Sequence, residues 1–69
     1  MTEIEQLKNR INASGAVGVE TSHIRDDYEP AGQMMINHLS ESGEYVQRKT
    51  PAYDFNAKWR IFLKGNEPY

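Results

Sequence analysis

Gln33 and Asn37 stand four residues apart, a spacing that puts both side-chain amides on one side of a helix. A primary amide carries a donor and an acceptor side by side, which matches N6 and N7 of adenine in a major groove. On spacing alone an ordinary solvated helix face is the commoner explanation of such a pair, and only within a fold that presents this helix to a duplex do the two readings come level. Farther on, Arg48, Lys49, Lys58 and Arg60 form a basic cluster, and Arg25 is the only Lys or Arg between Arg10 and Arg48. These five cations are candidate phosphate contacts. Four neutralised phosphates would give a log–log salt slope of roughly −3 to −4. The competing role is solubilising charge, with Lys guarding an edge strand. Tyr53 and Phe55 sit between the two halves of the cluster. Aromatics there would stack on a sugar, wedge into a groove or enter a protein partner, or else fold back over the core.

Other chemistries find little support. The chain has no Cys, which excludes disulfides and thiolate metal sites. His23 and His38 lack the i, i+4 spacing of a helical metal pair, so we expect polar surface histidines and no metal. Asp26 and Asp27 are adjacent, and neighbouring helix residues diverge, so they do not form a carboxylate dyad. Ser14, Ser22, Ser40 and Ser42 fall in no nucleophile motif. Gly15-Ala16-Val17-Gly18 lacks the Gly-Lys-Ser/Thr that completes a phosphate loop. The expectation is a non-enzyme without cofactor.

Composition narrows the class. Sixty-nine residues, 38% hydrophobic, give one domain with a thin core. The net charge is −2, from 8 basic and 10 acidic residues, and the signs are segregated. Glu3, Glu5, Glu20, Asp26, Asp27, Glu29, Glu41 and Glu44 oppose only Lys8, Arg10 and Arg25. After residue 44, Arg48, Lys49, Lys58, Arg60 and Lys64 oppose Asp54 and Glu67. An acidic total is not the usual nucleic-acid footprint, but a local basic patch supplies phosphate contacts because screening favours nearby charges. No apolar run approaches a membrane helix or signal-peptide core, and Met1-Thr2-Glu3 is acidic where a signal peptide is basic. A cytoplasmic protein without a membrane partner is expected.

The elements that must position these residues are legible as periodicities. Thr2-Glu3-Ile4-Glu5 is a capping box, and Ile4, Leu7 and Ile11 form one stripe. This predicts a helix from about residue 3 to 13, closed by Gly15. Ala16–Val19 predicts a stub strand that pairs with a later hairpin. Glu20-Thr21-Ser22 starts a short helix through about Asp27, with Ile24 and Tyr28 on one face. Pro30 is expected at the first position of a third helix, with Gly32, Met35, Ile36 and Leu39 on its inner face and Gly43 as its stop. Met34 is expected as a gap-filling core residue, with an adaptable protein contact as the other reading. Tyr45–Lys49 and Ala57–Leu63 predict a hairpin, whose second strand alternates Trp59, Ile61 and Leu63 with Lys58, Arg60, Phe62 and Lys64. The expected core is Ile4, Leu7, Ile11, Ile24, Met35, Ile36, Leu39, Val46, Trp59 and Ile61. The domain is expected over 1–64, with 65–69 a flexible C-terminal tail.

With Ile36-x-x-Leu39-x-x-x-Gly43-x-Tyr45-Val46 followed by a hairpin bearing Trp59 and Ile61, the chain resembles the winged helix-turn-helix superfamily, of the small phage and bacterial type. The resemblance spans roughly Ile4 to Leu63. It implies an α+β fold of three helices with a two- or three-stranded antiparallel wing sheet. It also implies that Pro30–Ser42 enters the major groove of double-stranded DNA and that Lys49–Ala57 is the wing tip. Gln33 and Asn37 would then contact bases, and Arg25, Arg48, Lys49, Lys58 and Arg60 phosphates, in a small regulator of transcription or another DNA transaction. A homodimer would extend the few base pairs one copy reads. The chain departs from DNA-binding members in its acidic helix-turn-helix half, with Asp26, Asp27, Glu29 and Glu41. That departure motivates the alternative, a winged-helix adaptor or inhibitor that docks on a basic protein surface and binds no DNA.

Overall fold

The computed structural model describes residues 2–51 and 58–69. Its elements run α1 (Glu3–Ser14), a 3-10 turn (Gly15–Val17), β1 (Val19–Glu20), α2 (Thr21–Asp27), α3 (Gly32–Glu41), β2 (Tyr45–Lys49) and β3 (Trp59–Leu63). The result is a small α+β fold: three helices and a three-stranded antiparallel sheet in the order β1-β3-β2.

The N-terminal helix forms as its capping residues dictate. The Glu5 backbone N–H donates to Thr2 Oγ1 at 3.3 Å, and Glu3 and Glu5 lie at the positive end of the helix dipole. Leu7 and Ile11 are fully buried, while Ile4 is half-buried against them. Fully burying such side chains stabilises by about 1.5–3 kcal/mol each. The seven residues of α2 do not persist as an isolated helix and are held by packing of their own. Buried Ile24 anchors α2 to the core, and buried Thr21 donates to the Trp59 carbonyl at 3.3 Å.

The third helix begins later than its proline suggested. Pro30 is not the first helical residue; it lies in the turn over 28–31, after a cis peptide bond. Ala31 caps the helix, accepting from the Met35 N–H at 2.9 Å. The reason lies in Gly32. A Cβ there would stand 2.7 Å from both Arg25 Cα and the Ile24 carbonyl oxygen. The two helix backbones therefore meet at Gly32, and the preceding turn brings the chain to that contact. At the other end, Ser42 Oγ donates to the Leu39 carbonyl at 2.6 Å and accepts from the Glu44 N–H at 3.2 Å.

In the sheet, Val19 faces Ile61 across β1 and β3, while Tyr45, Gln47 and Lys49 face Leu63, Ile61 and Trp59 across β2 and β3. These residues share the helix-facing side. The core joins Leu7, Ile11, Val19, Ile24, Met35, Ile36, Leu39, Tyr45 and Ile61. Three expectations change. Trp59 is 51% exposed and outside the core, although it stands on the helix-facing side at the first position of β3. Val46 is only half-buried, because it lies on the opposite face of the sheet. Phe62, read as part of the basic face, is fully buried on that outer side. Gly18 lies against its ring, and the Tyr69 ring meets it edge-on with centroids 5.9 Å apart. The Tyr45 phenol is held by Asn12 Oδ1 at 3.2 Å; burial pushes its pKa up, and the nearby Glu44 adds to the shift.

Candidate nucleic-acid interface

The outer face of α3 presents Gln33, Met34 and Asn37 to solvent. The two amides are not independent. Arg25 Nη1 donates to Gln33 Oε1 at 3.2 Å, and Gln33 Nε2 donates to Asn37 Oδ1 at 3.0 Å. All donors point one way, so the chain of bonds orients both amides. Asn37 ends it with its NH2 group and the second lone pair of Oδ1 unused by these bonds. That is the donor–acceptor pair a base edge needs. Met34 is 73% exposed, which overturns its expected role as core filler. It follows Gln33 on the outer side of a helix whose inner side is filled by Met35, Ile36 and Leu39.

The five cations do not form one patch. Arg48 and Arg60 are cross-strand partners on the outer face of the sheet, whereas Lys49 pairs with Trp59 on the helix-facing side. Arg60 Nη1 donates to the Val17 carbonyl and Arg48 Nη1 to the Gln47 carbonyl, both at 3.1 Å. Each is thereby oriented while keeping donors to spare. Lys58 Nζ lies 3.2 Å from Glu20 Oε1. Arg25 departs from the hairpin group to order the α3 amides. It also lines a groove with Thr21, Gln47 and Trp59, and so touches both halves of the candidate surface.

Glu20 is the residue that sequence reasoning missed. Its carboxylate accepts from Ser22 Oγ at 2.9 Å, and its side chain is mostly buried beside Lys58 and His23. The Ser22 hydrogen bond, then the Lys58 one, holds its pKa below the usual carboxylate range. A carboxylate thus sits inside the basic cluster, because β1 pairs Glu20 with Arg60. No local signal could reveal it, since it requires the register of two strands 40 residues apart in the chain. Asp27 is similarly engaged, by Arg10 at 2.8 Å, and it is the first cause of the raised Arg10 pKa.

Tyr53 and Phe55 lie outside the described residues. Among the described residues, no three His, Asp or Glu side chains converge as a metal site, and no helix is long and apolar enough to cross a membrane. No family model, curated protein or solved structure matches this chain.

Proposed function

We propose that this chain is a winged-helix DNA-binding module. Helix α3 reads a duplex through Asn37 and Gln33, and the hairpin cations hold the backbone. The observation that carries this reading is the ordered Arg25–Gln33–Asn37 chain of hydrogen bonds, exposed on α3. An exposed amide normally loses rotamer freedom on binding, and a pre-oriented one loses less. The strand order β1-β3-β2 and the succession helix, strand, helix, helix, hairpin support the winged-helix comparison. Arg25 and Lys49 supply cations on the α3 side, while Arg48 and Arg60 supply them on the outer side of the hairpin. A hairpin with cations on both faces suits a ribbon laid along a groove, where phosphates flank it on each side.

A titration with mixed-sequence duplex DNA at low salt, followed by backbone and side-chain amide chemical shifts, tests this. The expected result is a set of shifts centred on Gln33, Asn37, Arg25 and the hairpin, weakening steeply with salt. Unchanged spectra at millimolar DNA would refute it.

One observation favours a second reading. Met34 is largely exposed on α3, and Asp26 near the end of α2 and Glu29 in the turn after it are exposed as well. An exposed apolar side chain on an acidic half of the chain suits a basic protein partner. Asp26→Lys separates the two, since Asp27 is engaged by Arg10 and is a poor site for charge reversal. The change strengthens duplex binding under the first reading, and weakens a basic partner under the second.

A further inference from the structure

Trp59 has no place in the duplex reading. A half-exposed indole costs apolar area in water, and it is the only Trp in the chain. Its backbone is fixed from two sides. Thr21 Oγ1 holds its carbonyl, and β3 pairs it with Lys49. Just beyond, the Thr50 N–H donates to the Lys58 carbonyl at 3.0 Å, and the Lys58 N–H returns to Thr50 Oγ1 at 2.8 Å. In an antiparallel ladder the next pair, Lys49 and Trp59, is then of the non-hydrogen-bonded kind, whose side chains lie closest. The backbone that carries the indole is thus held in place, and Lys49 is its cross-strand neighbour on the same face. Across the groove stand the Arg25 guanidinium and the Gln47 side chain. Gln47 spends a donor on Ser40 Oγ at 2.8 Å, which keeps its amide oxygen as an acceptor. A second groove, lined by Glu20, Ser22, Arg25, Lys58 and Trp59, adjoins this one through the shared Trp59.

We propose that the groove between α2 and the start of β3 takes an unpaired nucleobase, stacked on Trp59, with its phosphate held by Lys49 and Arg25. The chemistry selects the occupant. A flat aromatic flanked by cations is how proteins hold single-stranded nucleic acid. The Gln47 oxygen welcomes an exocyclic amine or ring N–H, and it repels the carboxylate of an acidic peptide. Glu20 is already committed to Ser22 and Lys58, so it does not cancel Lys49 or Arg25 at the groove. The inference rests on the nucleic-acid reading only in sharing its cations. It deepens that reading by naming the preferred substrate as a duplex that ends in, or opens to, a single strand.

The test uses the full chain and its own indole fluorescence under selective excitation. The probes are a blunt duplex, the same duplex with a thymine overhang, an oligothymidine strand and a poly-glutamate peptide. Stacking of one base is worth about a five- to hundred-fold change in affinity, so the overhang duplex should bind at least about five-fold tighter than the blunt one and quench Trp59. Trp59→Leu should bring the two duplexes to equal affinity, and Trp59→Phe should keep part of the preference. The indole is outside the core, so both variants should retain the parent circular dichroism. If Trp59→Leu does not fold, the quenching and the Trp59→Phe comparison decide. Equal affinities for both duplexes without quenching overturn the inference and leave the duplex reading standing. Quenching by oligothymidine with no blunt-duplex binding supports the inference and removes the duplex reading. Quenching by poly-glutamate alone, or by none of the probes, overturns it.

Discussion

Substituting Gly18 by Ala tests whether the outer face of the sheet is packed as described. Gly18 has φ 71° and ψ −175°, a region that residues with a side chain hardly enter. The backbone term alone is about 1–3 kcal/mol. The added methyl would also stand 2.5 Å from Phe62 Cε2, 2.6 Å from Cδ2 and 3.0 Å from the Ile61 carbonyl oxygen. Phe62 is fully buried, so its ring cannot swing aside without losing contacts, and overpacking of this kind adds about 1–3 kcal/mol. The expected total is roughly 2–6 kcal/mol, comparable to the whole stability of a domain this small. Gly43→Ala is the control, since Gly43 has φ 82° but nothing within 4 Å of its virtual Cβ. It should lose the backbone term only. Urea unfolding followed by circular dichroism measures both, and adding Phe62→Leu to each background completes a double-mutant cycle. The coupling between positions 18 and 62 should be about 0.5–3 kcal/mol. If Gly18→Ala costs no more than Gly43→Ala, or if the cycle shows no coupling, the packing argument fails.

Gly32→Ala should destabilise by about 1–3 kcal/mol or more, because the atoms it meets are α2 backbone and cannot rotate away; thermal unfolding reads this directly. Glu20→Gln releases Lys58, so the salt slope of duplex binding should steepen by about 0.9, which is roughly a three-fold gain in affinity between 0.2 and 0.05 M salt, measured by anisotropy. The same variant tests pH linkage. The folded Glu20 pKa is depressed, so its contribution is present above the ordinary carboxylate range and lost as pH falls through and below it, and Glu20→Gln should show a shallower acid limb in urea titrations. Tyr45 has the opposite sign: its raised pKa means stability is lost as pH climbs past the normal phenol range, and Tyr45→Phe should flatten that alkaline limb.

What the sequence disclosed follows the range of the interactions involved. The Thr2 cap, the Leu7 and Ile11 stripe and the Gly15 stop are set within a turn or two, and all appear as local pattern predicts. A stub strand pairing with β3 is present as expected, but over Val19–Glu20 and not Ala16–Val19, since Gly15–Val17 turns as a 3-10 helix. Period-two alternation put Trp59, Ile61 and Leu63 on one face correctly. It could not tell that Trp59 stays half-exposed on that face, since burial depends on what lies opposite. Phe62 was misread for the same reason, because its cover comes from Gly18 and Tyr69, both outside β3. Pro30 does not follow the preference of proline for helix starts, since α3 begins only at Gly32, where its backbone meets α2. At the candidate site, the spacing of Gln33 and Asn37 was visible, but the Arg25 bond that orients them joins two helices across a turn.

The segregation of charge along the chain does not survive folding, and that changes how an acidic domain can approach phosphate. Arg10 from the acidic segment closes on Asp27, and Glu20 from the same segment is carried by β1 into the basic hairpin, where it takes Lys58. Arg25, isolated among carboxylates in sequence, turns to the polar face of α3. The pairs remove their own members from the long-range field, because opposite charges at 3 Å look neutral beyond a Debye length of about 8–10 Å. Arg25 lines the groove and Lys49 is the cross-strand partner of Trp59 at its edge, while Asp26 and Glu29 lie at the far end of α2 and in the turn after it. Net charge describes diffusion of the whole molecule; affinity at contact depends on the unpaired charges of one face. Arg25 is the cation common to the amides of α3 and to the Trp59 groove. Loss of its charge should therefore weaken both kinds of nucleic-acid contact, whereas loss of Asn37 should touch only the duplex and loss of Trp59 only the unpaired base.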